Sequence, residues 1–187
     1  INGDLTVDSG KDVTVLSSLT NAALTVVGDV SVSGILNLRS DSSGSGSNAG
    51  AVSMGSLTIE SGATYNATGG TTTITSEKGS SGYAWYNVTG TYTHNNGTVN
   101  FTSTADTHLR DDTFYNLTIT GGSSSSDFYY RPKDGGVGAV TIANDLTIVE
   151  GLFRPAGAAG ALTVTGDVSI ESGGVLGQED SSGAMTF

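Results

Sequence analysis

Apolar residues recur two apart through most of the chain, with a Thr or Ser between them. Leu5-Thr6-Val7, Leu24-Thr25-Val26, Val30-Ser31-Val32, Leu57-Thr58-Ile59, Leu117-Thr118-Ile119, Leu146-Thr147-Ile148 and Leu162-Thr163-Val164 all have this form. Such alternation puts the aliphatic residues on one face of a strand and the hydroxyl side chains on the other. A Gly comes within a few residues in most cases, where the chain can turn sharply. No stretch sustains a helical period, so the chain reads as all-β. The pattern predicts strands around Leu5–Val7, Val13–Leu16, Leu24–Val27, Val30–Val32, Ile35–Leu38, Val52–Met54, Leu57–Ile59 and Ala63–Tyr65. Thr71–Thr75, with Ile74 its one clearly apolar residue, reads as an edge or surface strand.

The strands come in repeated words. LTVVGDVSVSG at 24–34 returns as LTVTGDVSIESG at 162–173, and both copies run on to Asp-Ser-Ser-Gly and a short apolar strand. Shorter echoes stand at Leu5–Gly10, Leu57–Gly62, Leu117–Gly122 and Leu146–Gly151. A three-residue strand cannot form a core alone, but stacked copies build a continuous one. The spacing of the words is too irregular for a strict short-period helix. It predicts a parallel β-helix (β-solenoid) with irregular rungs of about 20–30 residues, with residues 1–187 forming a single elongated domain. The inward ladder is expected to hold Leu24, Val26, Val30, Val32, Leu57, Ile59, Leu117, Ile119, Leu146, Ile148, Leu162, Val164, Val168 and Ile170. The alternative is a β-sandwich, because Asn96-Gly97 is a hairpin signal that belongs more naturally to antiparallel sheets.

Residues 76–134 form an aromatic-rich section, read as a wider part of the solenoid or a hairpin insertion, and Asn95-Asn96-Gly97 within it reads as a hairpin or as a tight corner between rungs. Its rings include Tyr83, Trp85, Tyr86, Tyr92, Phe101, Phe114 and Tyr115. They read either as core filling or as a surface platform for glycans or a neighbouring subunit, with Tyr83, Trp85, Tyr86 and Tyr92 as the candidates for such a surface.

The words LT[IV]xxG, and the phrase HNNGTVNF at 94–101 followed by TFYNLTI at 113–119, resemble β-solenoid surface proteins: filamentous-haemagglutinin-like adhesins and the giant repeat proteins of microbial envelopes. The resemblance covers most of the chain. It implies a secreted, extracellular or cell-surface solenoid and brings no catalytic residues with it.

Composition narrows the chemistry. Among 187 residues, 18 are acidic and 7 basic, a net charge of −11 that opposes nucleic acid and anionic membrane as partners. There is no cysteine, hence no disulfide framework. No apolar run approaches the ~20 residues that span a bilayer, so membrane insertion is not expected. The chain opens on Ile1 without Met, which implies a processed product or a piece of something longer. His94 and His108 lack ligand-like spacing. Asp106, Asp111 and Asp112 are the acids that a polysaccharide-cleaving β-helix would use. The basic residues are scattered, however, and the Ser-rich runs show no nucleophile elbow. The sequence therefore nominates no catalytic, cofactor-binding or metal residue, and the chain is not expected to be an enzyme. Asp4, Asp29, Asp145 and Asp167 read as side chains that cap turns. Calcium at such acidic turns is the one cofactor for which the composition leaves room.

Asn-x-Ser/Thr occurs at Asn66, Asn87, Asn96, Asn100 and Asn116. These are candidate N-glycosylation sites of an exported protein, in a composition that also produces such triplets by chance. The two ends complete the picture. GAMTF at 183–187 written before INGDLTVDSG at 1–10 echoes GAVSM-GSLTIESG at 50–62. That echo predicts head-to-tail continuation into a homopolymer or a longer repeat chain, with Leu5, Val7, Met185 and Phe187 at the interface. The expected function is a structural subunit or segment of an extracellular filament or adhesin. The alternative is a carbohydrate-binding or polysaccharide-cleaving β-helix of the tailspike kind.

Overall fold

The computed structural model describes residues 1–15, 23–38, 50–105, 107–121, 127–129, 139–154, 161–177 and 184–187. The chain winds as a β-solenoid with three faces. The first turn lays down β1 (Leu5–Val7), β2 (Asp12–Thr14) and β3 (Leu24–Thr25). The second lays down β4 (Val30–Val32), β5 (Ile35–Asn37) and β6 (Val52–Met54), and the third β7 (Leu57–Ile59), β8 (Thr64–Asn66) and β9 (Thr71–Ile74). The fourth consists of β10 (Tyr83–Asn87), β11 (Thr91–Thr93) and β12 (Thr98–Phe101), and the fifth of β13 (His108–Leu109), β14 (Asp112–Phe114) and β15 (Asn116–Ile119). The winding continues through β16 (Asp127–Tyr129), β17 (Ala139–Ile142), β18 (Leu146–Arg154), β19 (Ala161–Val164), β20 (Val168–Leu176) and β21 (Ala184–Thr186).

The first face stacks β1, β4, β7, β10 and β13. The third face stacks β3, β6, β9, β12, β15, β18 and β20. The second face is carried by β2, β5, β8 and β11, and then by a separate sheet of β14, β17, β19 and β21. Both β18 and β20 bend. Their first halves stay on the third face. Leu152–Arg154 of β18 crosses to the first face, where it pairs with β16, the strand next above β13, and Gly173–Leu176 of β20 crosses with it. Every strand pairing among the described residues is parallel, which rules out the β-sandwich. Residues bonded across neighbouring turns lie 18 apart at Asn116 and Thr98 and 29 apart at Asp145 and Asn116. Loops of unequal length absorb that difference while the strands keep register.

Register explains the repeated words. On the third face the inward columns read Leu24, Val52, Thr72, Val99, Leu117, Leu146, Val168 and Met54, Ile74, Phe101, Ile119, Ile148, Ile170. The outward column reads Thr25, Ser53, Thr73, Asn100, Thr118, Thr147, Ser169. Leu57, Ile59, Leu117, Ile119, Leu146 and Ile148 are each fully buried, and each such side chain contributes roughly 1.5–3 kcal/mol by leaving water. Ile170, expected inward, keeps that phase but is 48% exposed, because no described strand covers β20 on that face.

One expectation changes, and one open choice is decided. Thr71–Ile74 is not an edge strand. It lies between β6 and β12, with Thr72 and Ile74 buried, because inward burial needs only alternate positions and Thr72 fills one of them. Of the two readings of Asn95-Asn96-Gly97, a hairpin or a tight corner between rungs, the structure shows the corner. Asn95 and Asn96 take positive φ values of 48° and 59° and make a tight corner between β11 and β12, which lie on different faces. Asn accepts that left-handed conformation at low cost, and the corner serves a parallel winding as well as an antiparallel one. The Ser/Gly stretch at 40–49, Asp106 and Gly122–Ser126 fall outside the described residues.

Candidate functional site

The aromatic section is mostly interior. Trp85 is fully buried and Tyr83 only 5% exposed. Tyr92 is half-buried and packs on the core. Three of the four candidates for a surface platform thus follow the core-filling reading and fill a cross-section that small aliphatic residues would leave empty. Tyr65 stacks on Tyr92 with centroids 6.0 Å apart, and Trp85 meets Tyr92 edge-on at 4.8 Å and Phe114 at 5.2 Å. Tyr86 alone of the four reaches toward solvent, and Arg110 covers it. The guanidinium carbon lies 5.2 Å from the ring centre, and Nη1 donates to the Tyr86 hydroxyl at 3.1 Å.

The same section holds a seam. β14 does not pair with β11, and at the register position where later turns place Val140, Leu162 and Met185 it carries Asp112. The Asp112 carboxylate accepts Trp85 Nε1–H at 2.9 Å, Asn87 Nδ2–H at 3.1 Å and the Thr113 N–H at 3.0 Å. Burial pushes its pKa up, against the opposing pull of those three donors, and the neighbouring Asp111 pushes the same way. Burial also raises Asp111, although less deeply set, and lowers His94. Asp111 is exposed while Asp112 is turned to the interior. Among the described residues no group of three His, Asp or Glu gathers to hold a metal ion, and no helix is long and apolar enough to cross a membrane.

The five sequon asparagines are placed differently. Asn66 Nδ2 donates to Asn37 Oδ1 at 2.5 Å, in a column that continues to Asp12 and Thr14. Asn87 is committed to Asp112 and to the Gly90 N–H. Asn100 Oδ1 accepts the Thr120 hydroxyl at 2.7 Å. Asn116 Oδ1 accepts Asn144 Nδ2–H at 2.9 Å and the Asp145 N–H at 3.2 Å. All four are half-buried, and Asn96, at the corner, is exposed.

The Gly-Asp corners do more than cap their own turns. Asp4 Oδ1 accepts the N–H of Asp29, one turn on, at 2.9 Å. Gly28 N–H donates to Gly3 O at 3.1 Å, and Leu5 N–H to Asp29 O at 2.9 Å. Far along the chain the same three bonds recur. Asp145 Oδ1 accepts the Asp167 N–H at 2.9 Å, Gly166 N–H donates to Asn144 O at 2.8 Å, and Leu146 N–H to Asp167 O at 2.9 Å. Glycine is required at the upper corner of each clasp. A Cβ on Gly28 would lie 2.1 Å from Asp4 Oδ1, and one on Gly166 would lie 2.5 Å from Asp145 Oδ1. The sequence marks these acids as turn residues but not as links between turns. The clue to that role is the separation of the bonded residues, 25 and 22 positions, which is one turn of winding.

These clasps correct the meaning of the long repeat. LTVVGDVSVSG turns the corner from the third face to the first (β3 to β4), whereas LTVTGDVSIESG turns from the second face to the third (β19 to β20). Two near-equivalent corners accept the same word. The echo of GAVSM in GAMTF is likewise displaced. Val52–Met54 lies on the third face, and Ala184–Thr186 lies on the second, stacked on β19. Of the four residues expected at an interface, Val7 is 1% exposed and Leu5 and Met185 are half-buried, while Phe187 is 66% exposed. No protein-family model, curated protein or solved structure matches this chain.

Proposed function

We propose that the chain is a structural segment of an extracellular filament or adhesin stalk, of the kind built by filamentous-haemagglutinin-like surface proteins, and that it continues head-to-tail through its terminal rungs. One observation carries this reading. Among the described residues the exposed large hydrophobics are Ile1, Val13, Val27, Ile35, Ile170, Val175 and Phe187. All but Ile35 lie in the first turn, at the corner that leaves it, or in the last turn from β20 onward. Between them, the outward columns of the described third-face strands carry Thr, Ser and Asn. Apolar surface gathered at both ends of one parallel stack, with unpaired strand edges, favours heterologous stacking that does not close on itself. The titratable groups support the same reading, since Asp4, Asp29, Asp112 and Asp145 are spent on bonds between turns. The chain serves this role without catalysis or cofactor. The exposed corner residue Asn96 is the sequon best placed to carry a glycan on such a fibre.

The test is the shape of the assembly. Electron microscopy of the isolated chain at rising concentration, and of two copies fused in tandem, should show rods that lengthen at constant width. A tandem protein seen as two separated bodies, together with a single chain that stays monomeric at high concentration, overturns the proposal.

A further inference from the structure

We infer that the solenoid is two stacks hinged on the β12–β15 ladder, and that the second stack, from Asp112 onward, swings away from Trp85 and Tyr92 about that ladder. The sheets show where the stacks divide. The first-face sheet stops at β13 and the lower second-face sheet stops at β11, while β14 opens a separate sheet with β17, β19 and β21. The third-face sheet alone runs through. Among the described residues, the one ladder between strands up to β13 and strands from β14 on is therefore Thr98–Phe101 with Asn116–Ile119. Between the second and third turns, by contrast, β4, β5 and β6 are bonded to β7, β8 and β9 on all three faces. The second-face ladder fails for want of phase. Tyr92 is the inward side chain of β11, between exposed Thr91 and Thr93, whereas β14 turns Asp112 and Phe114 inward and Thr113 outward. A shift of one residue sets inward positions against outward ones, so the two strands do not pair.

The corner between the first and second faces, opposite the hinge, holds the stacks together. Phe114 of the second stack sits among rings of the first, 5.2 Å from Trp85, 6.1 Å from Tyr92 and 6.5 Å from Phe101. Beside it, Asp112 Oδ2 accepts Trp85 Nε1–H and Asn87 Nδ2–H, which ties β14 to β10. The ring packing favours the closed state, and the burial of a carboxylate opposes it. In the open state Asp112 meets water, so its ionised form favours opening and its protonated form favours closure. Its surroundings supply no cation to cancel that charge. β10 offers the uncharged donors Trp85 and Asn87, and β17 offers Val140. β11 offers Tyr92 and His94, both held toward their neutral forms by burial. Asp111 adds a like charge, and Arg110 is engaged on the Tyr86 ring and hydroxyl. The swing therefore grows as pH rises above 3.8, the ordinary value for Asp112, and levels off once that carboxyl is ionised.

Native-state hydrogen exchange, resolved by NMR and corrected for intrinsic rates, tests the hinge on the unmodified chain. The Thr113 N–H, bonded to Asp112 Oδ1 at the seam, should exchange at least roughly tenfold faster than the Thr118 N–H in the hinge ladder. In rising urea, the amides of β5, β7 and β8 should converge on one opening curve and those of β17 and β19 on another, since separately bonded stacks open as separate units. Thr113 exchange should speed up with pH above 3.8, by up to about tenfold per pH unit, while Thr118 exchange stays level. Asp112→Asn should abolish that rise, and Asp111→Asn, at the exposed neighbour, should keep it. One opening curve shared by both stacks overturns the hinge. Thr113 exchange independent of pH in the parent chain, or a rise that survives Asp112→Asn, overturns the role of Asp112.

Discussion

Replacing Tyr65 with Phe should stabilise the protein. Tyr65 is fully buried on the second face, its ring 6.0 Å from Tyr92 and 6.2 Å from Trp85. Its hydroxyl is buried with no hydrogen-bond partner of adequate geometry. Burial drives its pKa far up, and the nearby Thr72 hydroxyl offsets that only in part. A buried hydroxyl left unsatisfied costs about 1–3 kcal/mol. Removing it leaves a void of hydroxyl size, which at ~24 cal/mol per Å3 returns only a few tenths of a kcal/mol. The rings and their contacts are unchanged, so the net gain is about 1–2 kcal/mol. Urea unfolding followed by fluorescence of the single tryptophan, Trp85, should show a higher midpoint at unchanged slope. The thermal midpoint should rise by about 2–4 °C per kcal/mol for a chain of this size. A loss of stability would refute the reasoning and show that a buried water bonds the hydroxyl.

Two further substitutions test the core and the seam. Val164→Asp puts an unpaired carboxylate on Ile142 in an inward column where Val164 is 2% exposed. It should cost at least about 3 kcal/mol, and an unchanged melting temperature would show that the face assignment is wrong. Asp112→Asn keeps an oxygen for Trp85 Nε1–H and removes the buried charge. The Asp112 pKa is raised in the folded chain above the ordinary 3.8. The stability that its proton supplies is therefore present below the unfolded pKa and lost as pH rises through the folded one. Relative to the parent, Asp112→Asn should be more stable at neutral pH, and the difference should shrink on acidification toward pH 3.8. A difference independent of pH, measured by denaturant titration of both proteins, would count against the burial argument.

The alternation of Leu, Thr and Val determined by itself that the chain is all-β, and its repetition favoured stacked parallel turns over the β-sandwich that only the strand pairing ruled out. Side-chain phase in a strand is a local property, and a three-residue strand with one apolar face has no stable partner but its own repeat. The Gly-Asp words likewise announced corners, because close backbone approach demands Gly wherever it occurs. The residues could not announce which face each word occupies. Corners from the third face to the first and from the second to the third share one chemistry, so LTVVGDVSVSG and LTVTGDVSIESG look alike and sit differently. Only the count of strands along the winding decides between them. The aromatic residues were ambiguous for a related reason. Trp85 and Tyr92 alternate as surface rings would, and their burial comes from Phe114 and Tyr65, which stand in the neighbouring turns and pack against them. Asp112 is the sharpest case. In the sequence it reads, beside Asp111, only as a candidate acid. Register places it in an inward column, where Trp85 and Asn87 from the turn below supply the donors that let a carboxylate stay there.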